Sequence, residues 1–322
     1  MTRSRIGEFD LIARLARRIG PAPEGVIGIG DDAAAVPDGA GWLIYTCDIA
    51  VENRHFTLAH TAPADLGWKV ATANASDVAA CGGKPRHALI SLGVPARLAP
   101  EWLEGMYDGL AEAARAYGFS VLGGNVSGAS ELVVDLFMTG HTNRFVPRSG
   151  ARPGHLLAVS GPLGDAAAGL ALLGRAPGGS RPDPMADPVA SALLIRHHRP
   201  RARTDLADAL AAGASAAIDI SDGLSSELHH LARASNARLD VERGRIPCSP
   251  ELLAFARAEA RDPLDWALHG GEGYELLFAF APGEEPRFRA LGATVIGRVS
   301  AGAGVFLSGE PLAPQGWDHL NP

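Results

Sequence analysis

Six aspartates, spread over both halves of the chain, could do chemistry together. Asp31 and Asp32 lie in GIGDDAA, Asp48 in TCDIAVENRHF, Asp77 in NASDVAACGG, and Asp219 and Asp222 in AIDISDGLSSEL. They fall at strand ends and helix starts in runs of small residues. One Asp in such a place is usually a cap or an Asx-turn. Six invite a second reading, because carboxylates brought together repel unless cations come between them. Magnesium prefers oxygen ligands and is held through a few carboxylates plus substrate phosphates. Carboxylates from both halves suit a site between two domains that bridges a nucleotide and an acceptor.

Other candidates are weaker by composition. The segment GGNVSGAS at 123–130 has glycines that let backbone N–H groups approach phosphate, but it also fits a plain turn between strands. It is neither a Walker A nor a GxGxxG pattern. SGPLGDAAAGL at 160–170 reads best as a strand–turn–helix joint. His55, His141, His197, His198, His229 and His230 have no HExxH spacing, and a lone histidine is more often a packing residue than a ligand. Ser91, Ser160 and Ser221 lie outside any GxSxG, so a serine hydrolase has little support. Trp317 could cover an aromatic ligand, though core packing is the commoner role.

These residues need elements to position them. Helical periodicity covers 8–19, with Gly20 and Pro21 as the stop. VIGIGDDAAAV and GWLIYTCDIAV read as strands around a Pro37-Asp38-Gly39 turn. A small-residue helix is expected over 63–81, starting at Pro63, and an amphipathic one over 100–118. RHALISLGV is a strand, and FSVLGG and LVVDLFMTGHT are strands around the glycine-rich loop. A turn-rich joint near RSGARPG divides the chain into domains 1–148 and 149–322. Beyond it come the strand HLLAVSG, a helix at 164–173, a Gly/Pro-rich loop at 174–189 that reads as mobile and a helix at 204–213. A strand–turn–helix follows over 214–235, then strands ARLDVERGRI, YELLFAFAP and GATVIGRVS. Strands and helices mix in both halves, which favours two α/β or α+β domains.

Composition sets the outer bounds. The chain has 322 residues, enough for two domains, with 47% apolar and 20% charged residues. A net charge of −7 argues against nucleic acid or an anionic membrane as main partner. Three scattered cysteines, Cys47, Cys81 and Cys248, suggest reduced thiols and a cytoplasmic location. The N-terminal stretch lacks an apolar signal-peptide core, and no run reaches the roughly 20 apolar residues of a membrane span.

Several segments together resemble the thiamine-monophosphate kinase family of the PurM-like, aminoimidazole-ribonucleotide-synthetase-like superfamily. They are GEFDLIARL at 7–15, GIGDDAA at 28–34, TCDIAVENRHF at 46–56 and DLGWKVATANASDVAACGGKP at 65–85. RSGARPG at 148–154, AIDISDGLSSEL at 217–228, GGEGYELLF at 270–278 and GWDHL at 316–320 follow in family order. The resemblance implies an N-terminal domain that dimerises through its sheet, a C-terminal α/β domain, and ATP with several Mg²⁺ between them near the dimer interface. It implies direct transfer of the γ-phosphate of ATP to thiamine monophosphate. Asp32, Thr46, Asp48, Asp77, Asp219 and Asp222 match the family's magnesium ligands. Tyr107, Gly123, Gly124, Asn125, Arg148 and Ser221 match nucleotide positions, and His55, Glu272 and Trp317 match positions that contact the substrate. Asp77, Asp219, Asp222 and Arg148 carry the catalytic expectation.

The sequence also departs from the family pattern. Asn125 and Gly128 stand where the family has Asp and Arg, Gly273 where it has Asp, and His155 where it has Asp. Asn125 keeps an oxygen but loses a charge, which is expected to weaken one magnesium site. These changes leave room for two other readings: a paralogue that uses ATP and Mg²⁺ on another small phosphorylated or carboxylated substrate, or a non-catalytic nucleotide-binding protein.

Overall fold

The computed structural model describes residues 7–174 and 187–316, which form two sheets with helices packed on them. The first part runs α1 (Glu8–Ile19), β1 (Ala34–Asp38), β2 (Gly41–Val51), α2 (Pro63–Ala80), β3 (Lys84–Val94), α3 (Pro100–Tyr117), β4 (Ser120–Gly128) and β5 (Val133–Thr142). The second runs β6 (Leu156–Val159), α4 (Asp165–Leu173), α5 (Pro188–His198), α6 (Ala207–Gly213), β7 (Ala214–Ile220), α7 (Leu224–Ser235) and β8 (Arg238–Val241). It ends with α8 (Pro250–Ala258), α9 (Pro263–His269), β9 (Glu275–Phe280), α10 (Glu285–Ala290), β10 (Thr294–Ser300), β11 (Gly304–Leu307) and β12 (Glu310–Pro311). The first sheet has the order β1-β2-β5-β3-β4 and the second β12-β11-β8-β10-β6-β9-β7. This is the mixed α/β, two-domain fold expected. Among the described residues no helix is long and apolar enough to cross a membrane.

Alternation sorts the first sheet into two faces. Ile44, Ala88, Ile90, Val134, Leu136 and Met138 point inward and are buried under α2 and α3. Tyr45, Cys47, Ile49, Leu89 and Phe137 point the other way, with Ile49 and Leu89 exposed.

Helices α2 and α3 start alike, with Pro at the first turn, where its missing N–H costs nothing. Gly118 ends α3 in the left-handed conformation, at φ 77°, and its N–H caps the Ala114 carbonyl. Two glycines let the helices touch backbone to backbone. A Cβ on Gly109 would lie 1.8 Å from the Ala64 carbonyl oxygen, and one on Gly67 would lie 1.9 Å from that of Met106. Helix α2 also belongs to the second sheet, because Ala79 and Ala80 share a core with Phe278, Phe280 and Phe288.

Two expectations need correction, and a third lies mostly outside the described residues. The segment VIGIGDDAAAV is strand only at its end: residues 26–33 carry just the isolated bridges Ile27–Ala35 and Ile29–Asp31, and β1 begins at Ala34 and runs through Pro37 and Asp38. Its aspartates are bound to Arg148, which takes the chain away from regular pairing. The glycine-rich run is not a loop, since residues 123–128 pair in parallel with Leu89–Val94 as part of β4. Gly124 fits there because a Cβ would lie 1.8 Å from the Ile90 carbonyl oxygen. The expected mobile loop at 174–189 falls mostly outside the described residues, and its last two residues open α5, capped by Asp187 Oδ1 accepting from Val189 and Ala190 N–H. Asp187-Pro188, Ser249-Pro250 and Asp262-Pro263 are cap-plus-proline signals for α5, α8 and α9, three helices the periodicity reading leaves unassigned.

Gly109→Ala is expected to lower the melting temperature by roughly 4–8 °C, from about 2 kcal/mol of overpacking. Gly105→Ala on the same helix meets only Pro63 side-chain atoms at 3.2 Å or more and should change little. Thermal unfolding followed by circular dichroism checks the pair, and equal shifts would contradict the close helix contact.

Candidate functional site

Carboxylate oxygens of Asp32, Asp77 and Asp219 all lie within 4.8 Å of one another. Three different elements deliver them. Asp32 comes from the irregular segment before β1, Asp77 from the last turn of α2, and Asp219 from the end of β7 in the second sheet. Helix α2 is the shared support: Ser76 donates its hydroxyl to Asp219 Oδ2 at 2.7 Å, while Asp77 Oδ2 accepts from Thr46 of β2 at 2.5 Å. Arg148 closes the group from the link between the sheets. Its guanidinium donates to Asp32 Oδ1 from Nε at 3.1 Å and from Nη2 at 2.5 Å, and its backbone N–H donates to Asp31.

Burial and mutual repulsion dominate the electrostatics. Burial pushes the Asp32 carboxyl up to about 6, against the pull of Arg148, and the charges of Asp31 and Asp48 add to the rise. Asp77 is driven well above the usual carboxylate range by burial, then by Asp48, Asp219 and Asp32. Asp219 is raised in the same way, by burial and then Asp32, with the Ser76 hydrogen bond opposing. Burial alone would weaken the hold of Arg148 on its proton, but Asp32, Asp219 and Asp77 outweigh it and raise its pKa. The group therefore calls for protons or a cation near neutral pH. All its donors are hard carboxylate oxygens, with the Thr46 hydroxyl beside them, a set that suits magnesium and not zinc.

A second cluster sits beside the first. The loop after β7 and the GGEGYE loop before β9 are clamped together, Glu272 N–H to Ser221 O at 2.7 Å and Tyr274 N–H to Ile220 O at 3.0 Å. Glu272 and Tyr274 take left-handed backbone, φ 63° and 52°. Such positions are costly for non-glycine residues and gather at functional sites. A Cβ on Gly271 would lie 2.2 Å from the Ser221 carbonyl oxygen, so only glycine allows this approach. The Asp222 N–H donates to Oε1 of Glu227, a buried residue in the first turn of α7. The Glu272 carboxylate reaches Lys69 of α2 at 2.7 Å and His197 of α5 at 3.4 Å. Burial and the Lys69 charge push His197 down to about 3. That ring is neutral near pH 7, so Lys69 is the ionic partner.

The structure thus brings Asp32, Thr46, Asp77, Arg148 and Asp219 together, with Asp48 close enough to perturb them and Ser221, Asp222 and Glu272 on the adjoining loops. His55 lies in the turn after β2, where its Nδ1 accepts from Val51 N–H at 3.0 Å. Tyr107 stands on α3, 39% exposed, beside the buried Met106, and no hydrogen bond ties it to the carboxylates. Gly123, Gly124 and Asn125 lie on the edge strand β4. Asn125 pairs with Ser91 on the outer face, opposite to the face that carries Thr46. β4 is three strands from β2, about 14 Å at normal strand spacing. Within one chain, Asn125 therefore stays apart from the Asp32–Asp77–Asp219 group. Trp317 lies outside the described residues. Sequence reasoning gave no role to Lys69 and His197. Lys69 could have been found as a lone cation in a helix of small residues, whereas nothing in the sequence pairs His197 with Glu272.

Residues 30–142 match the family AIR synthase related protein, N-terminal domain, and residues 152–310 match AIR synthase related protein, C-terminal domain. A thiamine-monophosphate kinase of Aquifex aeolicus is 38% identical over 99% of this chain and 100% of its own length. One of Pyrococcus horikoshii is 35% identical over 91% of each chain. Among solved structures, one described as "AaThiL complexed with AMPPCP and TMP" superposes with a TM-score of 0.92 at 38% identity, covering 99% of both chains.

The raised carboxyls set a pH dependence. They bind protons more tightly folded than unfolded, so their favourable contribution is complete below about pH 3.8 and is lost as pH rises through their folded values, about 6 for Asp32. Four histidines held below their usual range, His155, His197, His229 and His230, act in the opposite sense, so the carboxyl effect is read against Asp77→Asn: metal-free wild type should lose more melting temperature, or gain less, between pH 5 and pH 7 than the variant, and magnesium should make up the difference at pH 7. Asp77→Asn should also shrink the magnesium gain. A metal-free profile that rises over that interval in the wild type but not in the variant would contradict this account.

Proposed function

The chain belongs to the thiamine-monophosphate kinase family, and on that premise we propose that it is a working enzyme of that kind. It transfers the γ-phosphate of ATP to thiamine monophosphate and yields thiamine diphosphate. The observation that carries the reading is the meeting of Asp32 and Asp77 from one half with Asp219 from the other, inside 4.8 Å, with Arg148 attached. A non-catalytic protein would have no reason to hold buried carboxylates in mutual repulsion.

Asp32, Thr46, Asp48, Asp77, Asp219 and Asp222 are the residues that would hold magnesium. When bound, magnesium supplies positive charge against the phosphates. Transfer is direct and in line, without a covalent enzyme intermediate, and depends on positioning and charge neutralisation. The acceptor is itself a phosphate, largely ionised near neutral pH, so no general base is assigned. Arg148, oriented by Asp32, serves the nucleotide phosphates or the group in flight. Ser221, Tyr107, Gly123, Gly124 and Asn125 serve the nucleotide. His55, Glu272 and Trp317 serve the thiamine phosphate, with Lys69 fixing the Glu272 carboxylate. Trp317 would stack on the flat, cationic thiamine.

We take the working form to be a cytoplasmic homodimer, with its domains divided at residues 148 and 149. Support for the dimer comes from the outer face of the first sheet, where Ile49, Leu89 and Leu122 are 45–64% exposed. A second copy of the same face would cover them and bring the two β4 strands, with Gly123–Asn125, into the assembly.

Two experiments test this. Incubation with ATP, magnesium and thiamine monophosphate should yield thiamine diphosphate, and Asp77→Asn should reduce the rate by two orders of magnitude or more. Absence of product from wild-type protein whose melting temperature rises with Mg-ATP would point to a different acceptor. In sedimentation equilibrium the wild type should run as a dimer, and Leu89→Asp should shift it toward monomer. A monomeric wild type would remove the dimer from the proposal.

A further inference from the structure

A cleft of about 1110 Å³ opens at the junction of the two halves, beyond the C-terminal ends of α2 and β5. None of the residues assigned above lines it. Its charge runs against that of the whole protein, which is −7. Lys84 and Asp208 on its wall pair at 2.5 Å, and Asp205 accepts from Nε and Nη2 of Arg203 at 3.0 Å each. Three further guanidinium groups line it, Arg86, Arg144 and Arg201, the last near enough to Asp205 to help lower the pKa of that carboxyl. Arg144 is fixed in place, because Nη1 donates to Ala211 O at 2.7 Å and Nη2 to Ala214 O at 2.6 Å. Arg86 and Arg201 are exposed, and no hydrogen bond or ion pair holds them among the described residues. The carbonyl ends of α2 and α3 also border the cleft, where N–H groups of Gly82, Gly83, Gly118 and Phe119 cap Ala79, Val78 and Ala114.

From this arrangement we infer a second anion site, separate from the carboxylate site, that takes a small molecule carrying two or more phosphate groups. Three guanidinium groups on one concave lining suit phosphate, with Arg86 and Arg201 offering forked donors and Arg144 a charge fixed by its backbone partners. Arg86 and Arg144 belong to the first half and Arg201 to the second, so a bound polyphosphate ties the halves together. The site needs no metal, which distinguishes it from the aspartate group, where anions are repelled unless a cation is present.

The test uses inorganic tripolyphosphate in EDTA at low salt, by isothermal titration calorimetry on the full chain. Wild type should give saturable binding that weakens as salt rises. The Arg86→Ala/Arg201→Ala variant should bind at least tenfold more weakly. Asp77→Asn should bind as wild type does, and so should Arg257→Ala/Arg289→Ala, which removes the same charge from elsewhere on the surface. The inference is overturned if wild type shows no saturable binding, if the cleft variant keeps wild-type affinity, or if the surface control loses as much. It is overturned as well if Asp77→Asn alters binding as strongly as the cleft variant does. None of these results depends on the kinase reading, which is judged by product formation.

Discussion

Repulsion among buried carboxylates is the constraint around which the rest of this molecule is arranged. Asp32, Asp77 and Asp219 would separate if they stood on flexible segments, because burial and mutual charge both oppose their ionisation. The surroundings hold them with a small set of donors. Thr46 and Ser76 each give a hydroxyl, and Arg148 gives a guanidinium. These donors orient the carboxylates without neutralising all of them. The remaining negative charge would suit a divalent cation, and it is a cost to stability when none is bound.

Helix α2 transmits this arrangement between the two sheets. One side packs on the first sheet and, through Gly67, on α3 at backbone distance. The other places Ser76 on Asp219 and Lys69 on Glu272. A single rigid element thus sets both the carboxylate group and the adjoining loop. Pairs such as Lys69–Glu272, with the lysine largely buried, contribute more to geometry than to stability, since desolvation offsets much of the attraction.

Two of the glycines that the sequence reading set apart from the family pattern fall where the backbone makes no demand for glycine. A Cβ on Gly128 or Gly273 would meet open space, so neither position needs glycine for packing. Gly273 lies between two residues in left-handed backbone, yet its own φ is ordinary. The loop around it is held by the Glu272 and Tyr274 N–H groups, not by a side chain at 273. Gly124 and Gly271 differ, because carbonyl oxygens occupy the space a side chain would need.

Much of this was legible in the chain alone. Proline starts and glycine stops delimited α2 and α3 to within a residue, because they act through local backbone geometry. The aspartates stood out because they lie in runs of small residues at strand ends and helix starts in both halves. Local signals failed where long-range pairing decided the outcome. The glycine-rich run became strand β4 because β3 offered it a parallel partner, and GIGDDAA stayed irregular because Arg148, 116 residues away from Asp32, took its carboxylates. The contacts of Glu272 with Lys69 and His197 join three distant segments, and no periodicity connects them. Residue types and their order determined which chemistry was available. Only the packing of α2 between two sheets decided which carboxylates meet, because distances between remote segments follow from the tertiary fold and not from spacing along the chain.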